Sequence, residues 1–152
     1  MSVAFRRESD EEHLEPRFEL PLPAGPNLVT PRGQALIAER IAALEAEQNG
    51  AEEGRREEIA RELRYWNTRR ITAISAPPAP DDEVAFGSRV RFRLNGAERE
   101  IAIVGDDEAD PAAGLVAFSA PLARAMMGAG EGELVDFNGR ANAIEILAVS
   151  PI

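Results

Sequence analysis

Apolar residues recur at helical spacing in the first half of the chain and at alternate positions in the second half. Ile37, Ile41 and Leu44 predict an amphipathic helix that begins after the N-cap pair Thr30-Pro31. A second helix is predicted from about residue 54 to 75, with an apolar stripe of Ile59, Leu63, Trp66 and Ile74. Because only a short polar turn around Asn49-Gly50 separates them, the two helices predict an antiparallel helical hairpin over residues 30–76.

Proline-rich segments flank this hairpin. Residues 1–29 carry mixed charges and four prolines without a sustained apolar period, which predicts a flexible leader. Residues 77–83 open with Pro-Pro-Ala-Pro, which cannot continue a helix, so they are predicted to form a hinge. We therefore expect a leader, a hairpin, a hinge and a C-terminal domain over residues 84–152.

Beyond the hinge the apolar period changes from 3.6 to 2. Val90, Phe92 and Leu94 alternate with arginines, and Asn95-Gly96 predicts a tight turn into a return strand. Further strands are predicted at residues 115–118, 134–137 and 144–148, and a short helix at residues 121–127. The predicted fold class is α+β, with the helical hairpin followed by an antiparallel sheet domain that carries one short helix.

Composition excludes several classes of function. A chain of 152 residues can bury one modest core or two small ones. It has no cysteine and a single histidine, His13, which argues against disulfide bridges, thiolate metal sites, a histidine-based metal cage and a Ser-His-Asp triad. We expect no bound metal and no cofactor. It also lacks an apolar run of bilayer length and a signal peptide, so we expect a cytoplasmic protein without a membrane partner. The net charge of -10 argues against binding nucleic acid over the whole surface.

Several segments occur in the order found in one known family. The opening of the first helix, Leu28–Gly33, is followed by four segments of the C-terminal half, which are Val84–Val90, Ile103–Asp110, Ser119–Ala125 and Gly132–Val135. Over residues 27–152 the chain resembles the GreA/GreB transcript-cleavage factors. The resemblance implies an FKBP-like C-terminal domain and RNA polymerase as the partner, with indirect contact to nascent RNA or DNA in the elongation complex. It implies no enzymatic activity of the chain's own and no small-molecule substrate.

In that family the C-terminal domain docks at the rim of the polymerase secondary channel, and acidic residues at the coiled-coil tip help to hold a catalytic magnesium ion. The family's acidic tip segment has no match here, and a first helix of roughly 18 residues spans only ~27 Å. The chain is thus similar to short-coiled-coil members such as Rnk, and we expect polymerase binding with weak or no stimulation of cleavage. The carboxylates that could replace the family's acidic tip are Glu47, Glu52 and Glu53. A simpler explanation for acidic residues at these positions is that they solvate the helix ends.

The resemblance also implies a docking surface, formed by Ser119, Ala120, Pro121, Leu122 and Arg124. Ala120 stands where the family usually has a serine. An acidic turn is either solvated or an acidic face beside the docking loop, and it comprises Asp106, Asp107, Glu108 and Asp110. Arginines of the second helix form either an RNA-facing basic face or a solvated helix surface, and they include Arg55, Arg56, Arg61 and Arg64.

Three alternatives remain open on the sequence. The chain could be an active cleavage factor that uses Glu52 and Glu53, or an antagonist that competes with cleavage factors. From a different class, an FKBP-like fold also suggests a peptidyl-prolyl isomerase. That activity needs an apolar, aromatic-rich pocket, and the aromatic residues of the globular half are Phe86, Phe92, Phe118 and Phe137.

Overall fold

The computed structural model describes residues 19–152, so the first 18 residues of the predicted leader, His13 among them, lie outside the described residues. The described chain divides into two compact units. One contains residues 19–25 and Ile37–Thr72, and the other contains Pro26–Leu36 and Ala73–Ile152. The elements in chain order are β1 (Leu28–Val29), α1 (Pro31–Gln48), α2 (Glu53–Thr72), β2 (Ile74–Ser75), β3 (Ser88–Leu94), β4 (Ala97–Val104), β5 (Leu115–Ala117), α3 (Pro121–Met126), β6 (Leu134–Phe137) and β7 (Arg140–Pro151).

The helical hairpin is confirmed. Helices α1 and α2 contain 18 and 20 residues, which at ~1.5 Å per residue gives lengths of about 27 and 30 Å. The apolar stripe predicted for α1 is buried, as is Ile59 of α2. Arg40 and Glu62 add an ion pair across the hairpin at 3.8 Å. Since both side chains remain partly exposed, burial of the apolar stripe stabilises the hairpin more than this pair does.

Helix α2 ends at Thr72, three residues before the predicted end at Ser75. Ile74 was predicted to complete the apolar stripe, but it lies in β2 and is 49% exposed. The reason is a competing backbone partner, because Ile74 and Ser75 pair in parallel with Leu28 and Val29. The Ile74 N–H also donates to the Asn27 carbonyl at 2.8 Å. Residues 28 and 29, predicted to belong to a flexible leader, therefore form a strand.

The C-terminal sheet has five strands in the order β5-β4-β3-β7-β6. Strand β3 pairs antiparallel with β4 and β7, and β6 pairs antiparallel with β7. The predicted α+β class is confirmed, but the sheet is mixed, because β5 runs parallel to β4. Two short 3-10 turns at Asp106–Glu108 and Pro111–Ala113 turn the chain back, so that β5 enters the sheet in the same direction as β4.

The alternating pattern of β3 is confirmed. Ser88, Val90 and Phe92 are fully buried, while the intervening arginines face solvent. These arginines form ion pairs with carboxylates of β4 and β7, namely Arg89 with Glu100 at 3.4 Å, Arg91 with Glu98 at 3.4 Å and Arg93 with Glu145 at 2.5 Å. Exposed pairs of this kind contribute about 0–1 kcal/mol each, so the buried face determines the stability of the sheet.

The core of this unit lies between the sheet and α3. Buried side chains of β3, β4, β7 and α3 form one apolar cluster, whose largest members are Phe92, Ile103, Met126, Ile144 and Ile146. Burial of each such side chain contributes about 1.5–3 kcal/mol. Helix α3 is thereby held against the sheet by Ala123 and Met126, both fully buried. The opposite side of this short helix is therefore available to solvent.

The predicted turn at Asn95-Gly96 is present, and Asn138-Gly139 forms a second turn of the same kind. Asn95 and Gly96 have φ values of 52° and 82°, and Asn138 and Gly139 have φ values of 53° and 78°. Positive φ at both central residues is what a two-residue hairpin turn of this kind requires, and asparagine and glycine adopt it at low cost. Among the helices described, none combines the length and apolar character needed to span a membrane.

Candidate functional site

The predicted docking residues form a loop and the start of α3. Ser119 and Pro121 are exposed, as is Arg124, whereas Ala120 and Leu122 are half-buried. Ala120 is the N-cap, with φ −68° and ψ 147°, and it offers no side-chain cap. Pro121 occupies the first helical position, where the missing N–H costs nothing. The arrangement exposes a proline and a guanidinium beside each other on a helix whose far side is locked into the core.

The docking loop is hydrogen-bonded to the acidic turn. The Ser119 hydroxyl donates to Oδ1 of Asp106, and the Phe118 N–H donates to the Val104 carbonyl at 2.9 Å. The other carboxylate oxygen of Asp106 is buried and has no hydrogen-bond partner among the described residues. Asp106 is half-buried, as is Asp107, and Asp110 is exposed. These three carboxylates therefore stand close to the predicted docking loop along the chain, and Asp106 touches it.

Glu108 differs from its three neighbours, because it is buried with 4% exposure and is no part of a solvated acidic face. Its Oε2 accepts the N–H of Thr30 at 3.2 Å and the N–H of Gly105 at 3.1 Å, and its Oε1 accepts the Thr30 hydroxyl. Thr30 is the predicted N-cap, and its hydroxyl also accepts the Gly33 N–H at 3.1 Å. A buried carboxylate must be satisfied in this way. Its role is to fix the start of α1 within the globular unit.

At the hairpin tip, one of the three candidate carboxylates is already engaged. The guanidinium of Arg55 donates to both oxygens of Glu47, at 2.6 and 2.9 Å. The same guanidinium also pairs with Glu58 and Glu62 at 3.1 Å. The hydrogen bond from Arg55 lowers the pKa of Glu47 below its ordinary value. Glu47 thus serves as the partner of an arginine.

Glu52 and Glu53 are exposed beside the turn. Glu53 is the first residue of α2, where a carboxylate is favoured by the helix dipole. Within residues 19–152, no group of three or more histidine, cysteine, aspartate or glutamate side chains has an arrangement that would hold a metal ion. The structure brings the three candidate tip residues to one end of the hairpin, as their positions in the sequence predicted.

The four predicted arginines of α2 are not equivalent. Arg55 belongs to the tip cluster just described, and Arg64 makes three contacts of 2.7 to 3.0 Å with the two carboxylate oxygens of Glu19. Arg56 is exposed and forms no ion pair with any residue in the described part of the chain. The Glu19–Arg64 contact was not predicted, because the two residues are 45 positions apart and a charge pattern on one helix cannot reveal it.

The globular unit also carries an apolar groove of about 400 Å³. Residues from the β1 and hinge segments and from the chain end line it, among them Val29, Pro77, Pro78, Phe86 and Pro151. Phe86 packs edge to face with Phe118, with ring centroids 5.4 Å apart. Phe92 is fully buried in the core. The groove is therefore poor in aromatic side chains, in contrast to the pocket that an isomerase would need.

Comparison with known proteins gives a consistent family. Residues 79–151 match the family model described as "Transcription elongation factor, GreA/GreB, C-term". Among curated proteins, the transcription elongation factor GreA of Rhizobium etli (strain CIAT 652) is 38% identical over 87 residues, which are 55% of this chain and 55% of the relative. GreA of Brucella abortus (strain S19) is 36% identical over 84 residues, 53% of this chain and 54% of the relative. The chain thus spans about half the length of the curated relatives it matches.

Similar solved structures include "Prokaryotic transcription elongation factor GreA/GreB from Nitrosomonas europaea", which is 18% identical and covers 82% of this chain and 98% of its own, with a TM-score of 0.40. The Gfh1 protein of Thermus thermophilus is 13% identical and covers 82% of this chain and 99% of its own, with a TM-score of 0.39. Superpositions this loose transfer no residue to this chain. The similarity depends on the sequence matches, which relate residues 79–151 to the C-terminal domain of GreA/GreB transcription elongation factors.

Proposed function

We propose that this protein is an elongation regulator that binds bacterial RNA polymerase in the cytoplasm, at the rim of the secondary channel. The observation that carries this proposal is the family match over residues 79–151, which includes the docking loop and α3. The surface of Ser119, Pro121 and Arg124 is exposed, and the buried side of α3 holds it in place. A rigid exposed proline and a cation suit a preorganised protein contact.

The proposal includes weak or absent stimulation of transcript cleavage. Lending a magnesium ligand requires a carboxylate that is free to reach the ion, since Mg²⁺ demands near-ideal octahedral geometry. Glu47 is held by both nitrogens of the Arg55 fork, so binding a metal would break a bidentate pair. Glu52 and Glu53 remain as exposed carboxylates at the end of a hairpin whose helices contain 18 and 20 residues.

A transcript-cleavage assay on stalled elongation complexes tests this function. We expect the protein to bind the complex and to release little or no shortened RNA. The double variant Glu52→Ala/Glu53→Ala should behave like the parent chain, as should the control Glu57→Ala, an exposed carboxylate elsewhere on α2. Robust cleavage that is lost in the double variant and kept in the control would establish an active cleavage factor instead.

A competition experiment distinguishes a passive binder from an antagonist. If the protein occupies the secondary channel, adding it in excess should reduce the cleavage stimulated by a separate Gre factor. The variant Arg124→Glu should lose this effect, because it reverses the exposed charge on the docking surface. Undiminished cleavage at saturating protein would contradict binding at the channel rim.

A further inference from the structure

The apolar groove of about 400 Å³ lies wholly within the unit formed by Pro26–Leu36 and Ala73–Ile152. Its volume falls within the range of ~300–1,000 Å³ that is typical of small-molecule sites. Four of its twelve lining residues are prolines, and alanine, valine, phenylalanine and isoleucine supply most of the others. Pro77, Pro151 and Ile152 are exposed. The groove therefore leaves apolar surface open to a ligand inside one folded unit.

The lining carries one charged side chain, that of Arg32. Arg32 is exposed and makes no ion pair with any residue from 19 to 152. None of the 27 acidic residues of this chain, whose net charge is -10, lines the groove. Glu108 contacts Thr30 nearby, but it is buried and does not belong to the lining. An anion in the groove thus meets a guanidinium that can form a bidentate pair with it.

Contacts within the unit fix the walls of the groove. Phe86 is half-buried and packs edge to face on Phe118, with ring centroids 5.4 Å apart. Val29 is buried, and strand pairing joins it to Ser75. The proline rings restrict the backbone further, since each fixes its own φ angle. Because these walls are already ordered, a ligand loses little binding free energy in organising them.

The backbone of the lining does not favour an added peptide strand, which depends on main-chain hydrogen bonds. The four prolines have no N–H to donate. The N–H of Thr30 already donates to Glu108 at 3.2 Å. The N–H of Gly87 donates to the Ile103 carbonyl, and the N–H of Ile152 donates to the Gly87 carbonyl, both at 2.9 Å. The groove instead offers apolar contact and one cation.

We propose that this groove binds a small monocarboxylate, with the apolar body of the ligand against the proline rings and Phe86 and its carboxylate on the guanidinium of Arg32. Removal of the apolar body from water stabilises the complex. The single cation matches a single anionic head and fixes the orientation of the ligand. This site does not depend on polymerase binding, so the protein alone tests it.

An NMR titration of the full chain with octanoate tests the proposal. We expect saturable shifts of the amide signals of Phe86, Gly87 and Ile152, with a dissociation constant of about 1–10 mM for so small a ligand. Acetate supplies the head alone, and octylammonium supplies the chain with the opposite charge, so neither should produce these shifts at the same concentration. Equal shifts with octylammonium, or shifts centred on the exposed Ile71 and Leu134 outside the groove, would overturn the proposal.

Variants of the lining locate the two parts of the ligand. Arg32→Gln should weaken octanoate binding about tenfold, because it removes the charged hydrogen-bond donor. The matched control Arg56→Gln removes an exposed arginine of α2 that has no ion pair within residues 19–152, and it should keep the parent affinity.

Ala76→Leu adds apolar volume to the half-buried lining while Arg32 stays in place, and it should also weaken binding. Unchanged amide signals of β3 and β4 show that this variant keeps its fold. Parent affinity in Arg32→Gln, or in a folded Ala76→Leu, would overturn the site.

Discussion

The hydroxyl of Thr30 donates to the buried carboxylate of Glu108, 78 residues further along the chain, while it accepts the N–H of Gly33. One side chain thus caps α1 and ties its first turn to the globular unit. The carboxylate in turn is satisfied by the Thr30 and Gly105 backbone N–H groups. Because each group depends on the other for its hydrogen bonds, removing either one leaves a buried polar atom without its partner.

Thr30→Val tests this relationship with little change in side-chain volume. The valine can neither cap α1 nor donate to Glu108, so we expect the free energy of unfolding to fall by about 1–3 kcal/mol. Urea unfolding followed by circular dichroism measures the change. The control Thr68→Val removes a hydroxyl that donates to the Arg64 carbonyl within α2, and it should stay within about 0.5 kcal/mol of the parent. Equal effects at the two sites would contradict the coupling to Glu108.

Gly33→Ala should destabilise the protein although alanine favours helices. A Cβ atom at residue 33 would lie 2.5 Å from Oε2 of Glu108, a buried atom that hydrogen bonds hold in position. We expect a loss of about 1–3 kcal/mol, typical of overpacking. Gly54→Ala is the matched control within α2, where a Cβ meets nothing within 4 Å, and it should raise stability by up to ~1 kcal/mol. Thermal unfolding shows whether each variant gains or loses stability. A stabilising Gly33→Ala would contradict the close packing of residue 33 against Glu108.

The ion pair at the hairpin tip predicts a pH dependence. Arg55 lowers the pKa of Glu47 in the folded chain. The Glu47–Arg55 ion pair therefore stabilises the folded chain at pH values above the ordinary glutamate pKa of ~4.3, and this stabilisation is lost as the pH falls through the lowered pKa. A carboxyl titration by NMR should place Glu47 below that ordinary value, and Arg55→Gln should return it there. Because both side chains are exposed, we expect a small effect on stability. An unchanged Glu47 titration in Arg55→Gln would contradict the pair.

Reversal of one charge on the proposed docking surface should weaken polymerase binding. Arg124 is exposed on α3, while Ala123 and Met126 on the same helix are buried, so Arg124→Glu changes the surface without disturbing the core. We expect the affinity for an elongation complex to fall by about tenfold or more, which corresponds to ~1.4 kcal/mol. Arg140→Glu reverses an exposed charge at the start of β7 and serves as the control. Equal losses would indicate a general charge effect in place of a defined surface.

Local patterns predicted the elements well, and non-local contacts account for what they missed. The Asn95-Gly96 and Asn138-Gly139 turns were predictable because two adjacent residues determine the backbone conformation. The alternation along β3 is likewise local. The end of α2 was predicted three residues late, because the helix ends where Ile74 pairs with Leu28. The sequence of the helix alone does not predict that pairing.

The same distinction applies to the candidate site. Three carboxylates could be assigned to the hairpin tip from the turn alone, but the engagement of Glu47 by Arg55 depends on side-chain geometry across the turn. The sequence does not distinguish Glu108 from Asp106, Asp107 and Asp110, because Glu108 is buried through its contact with the distant Thr30. Whether Ser119, Ala120, Pro121, Leu122 and Arg124 contact polymerase stays a prediction from the family.

Strand β7 is the last element in the sequence, yet it lies inside the sheet between β3 and β6. Within residues 19–152, β6 pairs with no strand besides β7, and β3 lacks one of its two neighbours until β7 is in place. During synthesis, one edge of β3 and of β6 therefore keeps unpaired backbone hydrogen-bonding groups until residues 140–151 have left the ribosome. Pairing over such sequence separations slows folding and exposes edges that can aggregate. The sheet is consequently expected to form more slowly than the helical hairpin, whose contacts are local.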